Sequence, residues 1–296
     1  MYVIVGANGY LGSNLMKTVL ETTRETVLAT CRDLSHVWTR DPRVTWIACD
    51  IARESEVDAL AARVNALPEP ARVAFLAATH HPDVVQRDPE AARHVNLDML
   101  TRFLAAAQNL ACLYYPSTDS VYGESVGGQH FKESDPLAPV NVYGRQKAEA
   151  ERLVTGAGYS AVRFPFLAGP SLLPHKKHFT DVIVETISAG EPIELFCDSF
   201  RSSLDFGTAA GLLARLMATH NTAYPRLLNL SGDDDLSKYD VGLLLARKIG
   251  ADERLIRPLR MADDDTIFVT RRAQSTLLDN SLVKRTLGLD EIKINL

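Results

Sequence analysis

A glycine-rich turn between a strand and a helix constrains the fold of this chain more than any other feature. Apolar residues open the sequence at Tyr2-Val3-Ile4-Val5, Gly6-Ala7-Asn8-Gly9-Tyr10-Leu11-Gly12 follows at once, and apolar residues then recur with helical spacing. Such glycines let the backbone approach a pyrophosphate, which binds the free N–H groups at the helix N-terminus. The pattern predicts nucleotide binding, with a plain turn as the alternative. The candidate cofactor-binding residues are Gly6, Asn8, Gly9, Tyr10, Leu11 and Gly12.

Strand-like and helix-like segments alternate through the first half of the chain. Further strands are predicted at residues 26–30, 44–48, 72–77, 111–115 and 160–164, and helices at 54–66, 89–109 and 143–155. This alternation predicts right-handed βαβ units, hence an α/β fold with a Rossmann-like, doubly wound parallel sheet. After Pro165 the elements shorten, with helices near 178–189, 208–220 and 238–249. We therefore expect a cofactor-binding domain over residues 1–165. Residues 166–296 should form mainly a smaller, substrate-binding lobe, with some elements returning to the sheet.

Composition and charge exclude several classes of function. The chain has 32 Lys and Arg against 37 Asp and Glu, a formal net charge of −5, which gives no reason to expect nucleic acid or an anionic membrane as a partner. Hydrophobic residues make up 46% and charged residues 23%, which are ordinary globular values. No apolar run is long enough to span a membrane, and the N-terminus carries no basic leader. We expect a cytoplasmic protein with a small-molecule substrate.

The cysteines and histidines do not predict a metal site. The four cysteines are scattered, without a C-x-x-C pair, and we expect buried free thiols. His175 and His178 have i, i+3 spacing but lack the carboxylate–histidine set of a zinc protease. Polar loop residues are the favoured interpretation, and a metal bound by these two histidines is the alternative.

Tyr143 and Lys147 are four residues apart, which on a helix places both side chains on one face. A fixed ammonium beside a phenol favours the phenolate, so we expect Lys147 to lower the pKa of Tyr143. Tyr143 could then donate a proton to a carbonyl or accept one from an alcohol. Taken alone, the pair is more typical of a solvated helix face.

A hydroxyl pair follows another predicted strand. Ser117-Thr118-Asp119 comes directly after the strand that ends near Tyr115. In open α/β sheets, groups at the carboxyl end of a strand face the crevice in which ligands bind. An ordinary loop is the alternative, because Ser and Thr are common in turns.

Together, the G-x-x-G-x-x-G turn, Thr118 and the Tyr143/Lys147 pair resemble the extended short-chain dehydrogenase/reductase family. The resemblance covers nearly the whole chain. It implies an NAD(P)-dependent oxidoreductase in which Thr118, Tyr143 and Lys147 are catalytic and Lys147 also holds the nicotinamide ribose. The remaining cofactor-binding residues that it implies are Asp50 and Ile51 at the adenine and Ala77, Ala78 and Thr79 after the fourth strand.

Within that family, the chain is most similar to dTDP-4-dehydrorhamnose reductases. Ser117-Thr118-Asp119 resembles their S-T-D motif, and Asn141-Val142-Tyr143-Gly144 their N-x-Y-G motif. The segment from Arg271 to Leu277 resembles their R-P-x-N-S-x-L, with Arg272 in place of Pro and Gln274 in place of Asn. The resemblance implies a nucleotide-linked 4-keto sugar as substrate, bound in part by Thr118 and Asp119, and a homodimer.

The end of the second strand bears on the choice of cofactor. NAD sites usually have an acidic residue there, whereas an Arg nearby accommodates the 2′-phosphate of NADP. The acidic position is predicted at Thr30, and Arg32 follows two residues later, which favours NADP. Asp33 would favour NAD if the strand ended one residue later, and both charges could simply be exposed loop residues. We accordingly expect residues 1–165 to be an NADP-binding domain.

An anionic substrate needs local cations. Arg201 resembles the arginine that contacts the nucleotide diphosphate in the family that this chain resembles. A solvated arginine is the alternative. His175, Lys176 and Lys177 would add positive potential at the mouth of the cleft.

Three functions follow from these interpretations. The first is reduction of a nucleotide-linked 4-keto sugar by NADPH, with Tyr143 supplying the proton and Thr118 (or Ser117, if the strand end is displaced) binding the oxygen. The second is a sugar-nucleotide epimerase or dehydratase, although Thr118-Asp119-Ser120 lacks the acid pair that dehydratases carry. The third is a non-catalytic, nucleotide-binding regulatory subunit.

Overall fold

A parallel seven-stranded sheet is the centre of the molecule in the computed structural model, which describes residues 1–261 and 268–296. From one edge to the other, its strands are β12 (Leu227–Asn229), β7 (Ser160–Phe164), β5 (Leu110–Thr118), β4 (Ala71–Phe75), β1 (Tyr2–Val5), β2 (Val27–Cys31) and β3 (Val44–Ala48). Every neighbouring pair is parallel. The chain builds outward from β1 in one direction and then from β4 in the other. A topological switch point therefore lies between β1 and β4, and the predicted α/β fold is confirmed.

Helices cover both faces of the sheet. Those described are α1 (Tyr10–Thr22), α2 (Glu54–Asn65), α3 (Pro82–Arg87), α4 (Pro89–Arg93), α5 (Met99–Ala106), α6 (Val142–Gly156), α7 (Phe179–Ser188), α8 (Phe206–Ala218), α9 (Lys238–Ile249) and α10 (Ser281–Leu287). Helices α1 and α8 pack on one face through residues such as Leu15 and Leu213. Helices α2, α5 and α6 pack on the other through Leu60, Phe103 and Val154. Helix α8 and strand β12 thus return from the second half of the chain to the central sheet.

Short strand pairs and the helices α7, α9 and α10 build most of the remaining described part of the second half. The pairs are β8 (Leu167–Ala168) with β11 (Leu204–Asp205), β9 (Ile193–Phe196) with β14 (Ile256–Leu259), β10 (Phe200–Ser202) with β13 (Asp235–Ser237), and β6 (His130–Phe131) with β15 (Leu277–Leu278). Helices α7 and α9 pack together through Ile183, Ile187, Val241 and Leu245. The β6–β15 pair ties the long loop before α6 to the C-terminal segment.

Several element bounds differ from those predicted. Strand β5 continues to Thr118 because residues up to Thr118 pair with β7, which ends opposite it at Phe164. Strand β2 ends at Cys31, one residue later than predicted, because Cys31 pairs with Ala48 of β3. The single helix predicted over 89–109 is interrupted by a π-helical turn at His94–Asp98. In the described part of the chain, no helix combines the length and apolar character needed to cross a membrane.

Candidate active site

The glycine-rich turn lies at the switch point and its glycines are needed for close backbone packing. Gly6 has φ +87°, and a Cβ there would lie 2.9 Å from the backbone nitrogen of Ala77. A Cβ on Gly12 would collide with the carbonyl oxygen of Gly6. The turn is further held by the Thr30 hydroxyl, which accepts a hydrogen bond from the Gly6 N–H at 2.9 Å. Larger residues at Gly6 or Gly12 would therefore displace the turn from β4.

The helix that follows the turn has the features of a phosphate site. Helix α1 begins after Gly9 with no side-chain cap and has no acidic residue in its first turn. Its N–H groups and positive dipole end are therefore available to an anion. Asn8 Oδ1 is buried and has no hydrogen-bond partner among the described residues. This orphaned acceptor and the uncapped helix fit a bound dinucleotide.

The other candidate cofactor residues surround the same edge of the sheet. Asp50 and Ile51 follow β3, and the Ile51 side chain is buried. Ala77, Ala78 and Thr79 follow β4, where Asn96 fixes Thr79 through hydrogen bonds to its N–H and carbonyl (2.8 and 3.0 Å). Asn96 also donates to Gln146 of α6 at 3.0 Å. The structure thus brings these residues to one edge, and their contact with a cofactor stays a prediction.

Arg32 and Asp33, the two charged residues that follow β2, are both exposed. Thr30 is 1% exposed and its hydroxyl is directed to Gly6, whereas Arg32 is exposed directly after the strand. Asp33 caps the 3-10 helix Leu34–His36 by accepting a hydrogen bond from Ser35 N at 2.8 Å. Although the strand ends one residue later than predicted, the Asp33 carboxylate already has this local partner.

The loop before α7 lies on the cofactor side of the cleft. The Tyr10 hydroxyl donates to the carbonyl of Lys177 at 2.6 Å, and Lys176 Nζ lies 4.4 Å from the centre of the Tyr10 ring. The ring of His175 stacks on His36 at 4.3 Å. The three basic residues placed by sequence at the mouth of the substrate cleft therefore lie beside the glycine-rich turn and the loop after β2. His178 instead caps α7 and contacts Thr180, so it does not share a site with His175.

Thr118, Asp119 and Tyr143 meet at the carboxyl end of β5. The Thr118 hydroxyl donates to Asp119 Oδ1 at 2.9 Å. Tyr143 lies in the first turn of α6, which Asn141 caps by accepting from Gly144 N at 2.9 Å. Burial raises the pKa of Tyr143, the charge of Asp119 raises it further, and a hydrogen bond with Thr118 opposes this. Ser117, the alternative hydroxyl, is buried and its Oγ has no partner among the described residues.

The Lys147 ammonium does not point at the Tyr143 hydroxyl. Its Nζ donates to the Tyr115 hydroxyl at 3.0 Å and to the Pro116 carbonyl at 2.8 Å, and lies 6.0 Å from the centre of the Tyr143 ring. The expectation that Lys147 lowers the pKa of Tyr143 is therefore wrong for this arrangement, because burial dominates and raises that pKa. Burial also lowers the pKa of Lys147 itself, to about 7. Sequence spacing placed both residues on one face but gave no sign of Tyr115.

Arg201 is held inside the site by several partners. Its Nε lies 3.2 Å from Asp119 Oδ2, and its terminal nitrogens donate to the carbonyls of Phe200, Ala273 and Gln274. The side chain is 19% exposed, so it is not the solvated arginine considered as the alternative. A narrow pocket with a cavity volume of about 20 Å³ opens beside it. The residues lining this pocket are Ser120, Gly123, Val140, Asn141, Arg201, Arg272, Ala273 and Thr276.

The sheet order, the glycine-rich turn at the switch point and the Thr118–Tyr143–Lys147 arrangement are those of the extended short-chain dehydrogenase/reductases. A family model described as "RmlD substrate binding domain" matches residues 1–293, so the chain belongs to this family. The family predicted from the sequence is thereby confirmed.

The similar proteins include both enzymes and a subunit of another enzyme. The chain is 24% identical over 229 residues to methionine adenosyltransferase 2 subunit beta of Pongo abelii; the match covers 75% of this chain and only 66% of that protein. It is 22% identical to the dTDP-4-dehydrorhamnose reductase of Aggregatibacter actinomycetemcomitans, over 97% of this chain and 93% of that one. Among solved structures, a Bacillus anthracis dTDP-4-dehydrorhamnose reductase in complex with NADP has TM-score 0.78 and 18% identity, covering 99% of this chain and 94% of that one.

Proposed function

We propose that this protein is an NADPH-dependent reductase of a nucleotide-linked 4-keto sugar. The observation that carries the proposal is the convergence of Thr118, Tyr143 and Lys147 at the switch-point edge, beside an uncapped helix that fits a dinucleotide. The similar reductase structure that contains NADP supports the choice of cofactor. We also propose that residues 1–165 are the main NADP-binding unit and that residues 166–296 supply most of the substrate contacts.

Each side chain has a distinct role in this proposal. The cofactor, when bound, supplies the hydride. The Thr118 hydroxyl and Tyr143 hydroxyl would bind the substrate carbonyl oxygen, where negative charge develops. Tyr143 would deliver the proton, and its raised pKa keeps the phenol protonated and ready to donate. Lys147, held by Tyr115 and Pro116, would hold the nicotinamide ribose.

The binding roles follow from exposure and charge. Arg32 is exposed beside the turn and would bind the 2′-phosphate through its planar fork. Lys176 lies close enough to Arg32 for their charges to interact, so both favour an anion there. Arg201 would approach the substrate diphosphate from the pocket, with Asp119 fixing its orientation.

Oxidation of NADPH by a dTDP-linked 4-keto-6-deoxyhexose tests the proposal. We expect stoichiometric oxidation, faster with NADPH than with NADH. Tyr143→Phe should lower the rate by about 10²–10⁴-fold, the usual worth of a general acid, without weakening NADPH binding. The matched control is Tyr159→Phe, since Tyr159 packs, away from the site, against the core on the face of the sheet that α2, α5 and α6 cover. Full activity of Tyr143→Phe would exclude the proposed role.

A non-catalytic subunit is the second candidate, because a subunit of another enzyme is among the similar proteins. If the protein binds NADPH but reduces no keto sugar, the result would favour this second candidate. An epimerase or dehydratase would bind the cofactor and convert a nucleotide sugar without net consumption of NADPH. Analysis of the sugar products therefore separates it from the non-catalytic subunit, which converts no sugar.

A further inference from the structure

Arg272 occupies a position in the pocket that the function proposed above does not yet use. It lies in the C-terminal segment, at the position where the motif of the dTDP-4-dehydrorhamnose reductases has proline. It lines the pocket together with Ser120 and Asn141. Its side chain is 16% exposed. A largely buried guanidinium thus stands where the motif has an uncharged residue.

One terminal nitrogen of the Arg272 guanidinium is paired with a carboxylate, and the other has no partner among the described residues. Its Nη2 lies 3.0 Å from Asp83 Oδ1 of α3, and the guanidinium carbon lies 5.0 Å from the centre of the Phe268 ring. Its Nη1 is buried and has no hydrogen-bond partner within the described segments. A buried charged donor without a partner costs free energy, so a ligand that accepts from Nη1 would be favoured.

The surroundings of Arg272 favour an anion. Burial lowers the pKa of Lys238, and the charges of Arg201 and Arg272 lower it further, so these three cations share one region. Asp83 and Asp119 pair with the two arginines. The Lys238 ammonium instead faces aromatic rings, 4.7 Å from the centre of Phe179.

Arg272 is on the Tyr143 side of the pocket. Its charge opposes the rise in the pKa of Tyr143. Arg201 is instead tied by its terminal nitrogens to backbone carbonyls. Arg272 would therefore bind a part of the substrate close to Tyr143.

We propose that Arg272 is a specificity-determining residue that binds a carboxylate carried by the sugar of the substrate. This inference rests on the proposed function and deepens it: the preferred substrate class is a nucleotide-linked keto sugar acid. The planar fork of arginine matches a carboxylate, and the free Nη1 beside the anchored Nη2 supplies the donor.

Binding of stable nucleotide sugars tests the proposal independently of turnover. The probes are glucuronate and glucose linked to UDP, and the same two sugars linked to dTDP; each pair differs only at the C6 carboxylate. Affinities are measured by calorimetry on the NADP-loaded protein. We expect the glucuronate of at least one pair to bind about tenfold or more tightly than the glucose, the worth of one charge-assisted hydrogen bond. Arg272→Gln should abolish this preference.

Two further variants make the result decisive. Arg271→Gln, at the exposed neighbouring arginine, should keep the preference. Arg272→Lys keeps the charge but loses the fork, and should retain part of it. NADP binding by each variant shows that it is folded. Equal affinity of the wild-type protein for both members of each pair, including no binding of either, would overturn the proposal. So would an equal loss for both members in Arg272→Gln, which would place Arg272 at the diphosphate. If the protein failed to reduce a keto sugar but kept the preference for glucuronate, the proposed function would fail and the proposal for Arg272 would stand.

Discussion

At Lys147, the cost of burial outweighs the attraction of a nearby carboxylate. The side chain is 3% exposed, and although Glu151 favours its charged form, the pKa falls from 10.5 to about 7. Hydrogen bonds to Tyr115 and Pro116 keep the amine in place in either protonation state. Lys147 can therefore change its charge near neutral pH, as catalytic lysines do.

This shift predicts a dependence of stability on pH. Because the pKa of Lys147 is lower in the folded chain, the unfolded chain binds an extra proton between about pH 7 and 10.5, and stability rises with pH in that window. Relative to Lys147→Met, the wild-type protein should gain up to about 1.4 kcal/mol in its free energy of unfolding per pH unit. Urea denaturation at several pH values between 7 and 9 measures the difference.

Lys17→Met is the control for this experiment, since Lys17 is exposed on α1. Its free energy of unfolding should run parallel to that of the wild-type protein across the window. A parallel course for Lys147→Met as well would show that Lys147 keeps an ordinary pKa.

The residue types of the site could be predicted from sequence, but their orientation could not. The spacing of the motifs predicted that Thr118, Tyr143 and Lys147 lie at one edge of the sheet, because the ends of strands and the faces of helices can be located from local sequence patterns. The direction of the Lys147 ammonium depends on Tyr115, and that of Arg201 on Asp119 and on carbonyls some seventy residues later. No local pattern contains those partners.

At the level of elements, a buried ion pair joins helix α6 to the sheet. Arg163 of β7 is 1% exposed and its Nη2 lies 2.6 Å from Glu151 Oε2 of α6. Its Nε donates to the other carboxylate oxygen at 2.8 Å, and Nη1 donates to the Tyr122 hydroxyl. The pair fixes α6, and with it Tyr143 and Lys147, on β7.

Breaking this pair should be costly. Glu151→Gln leaves the Arg163 charge buried without its partner, and we expect a loss of about 3–5 kcal/mol in the free energy of unfolding. The pair of Glu149 and Arg93 is a matched control on the same helix, because both side chains are largely exposed. Glu149→Gln should cost no more than about 1 kcal/mol. Equal costs in urea denaturation would show that the Glu151–Arg163 pair is not the tie between α6 and β7.

Element bounds were predicted least well where tertiary pairing decides them. Pro116 cannot donate to a ladder, so the sequence favours ending β5 before it. Pairing with β7 nevertheless carries the strand to Thr118. The π-helical turn at His94–Asp98 likewise has no sequence signal, although it places Asn96 where it binds Thr79 and Gln146.

At the level of the whole molecule, the second half of the chain contacts the glycine-rich turn. Tyr10 donates to the Lys177 carbonyl and its ring stacks on Phe206, the first residue of α8. Helix α8 also packs beside α1 on the sheet. Binding at the turn should therefore stabilise both halves together.

Cofactor-dependent stability tests the proposed NADP site. NADPH at a hundredfold excess over its Kd should raise the free energy of unfolding by about 2.7 kcal/mol. At the same NADPH concentration, Arg32→Ser should reduce this gain by about 1.4 kcal/mol or more, a tenfold loss of affinity, and leave the gain from NADH unchanged. Arg40→Ser, at another exposed arginine, is the control. An equal loss of stabilisation with both cofactors would show that Arg32 does not bind the 2′-phosphate.

The sequence by itself determined the parallel α/β sheet, the glycine-rich turn and the identity of the Thr118, Tyr143 and Lys147 set, because these depend on local spacing and on strand and helix periodicity. Only the tertiary structure decided that β12 joins the sheet and α8 packs on it. The same is true of the basic loop before α7, which lies beside Tyr10, and of Arg272, which lines the pocket. These features depend on contacts between residues far apart in the chain. Burial, which sets the pKa values of Tyr143 and Lys147, arises only when those contacts exclude water.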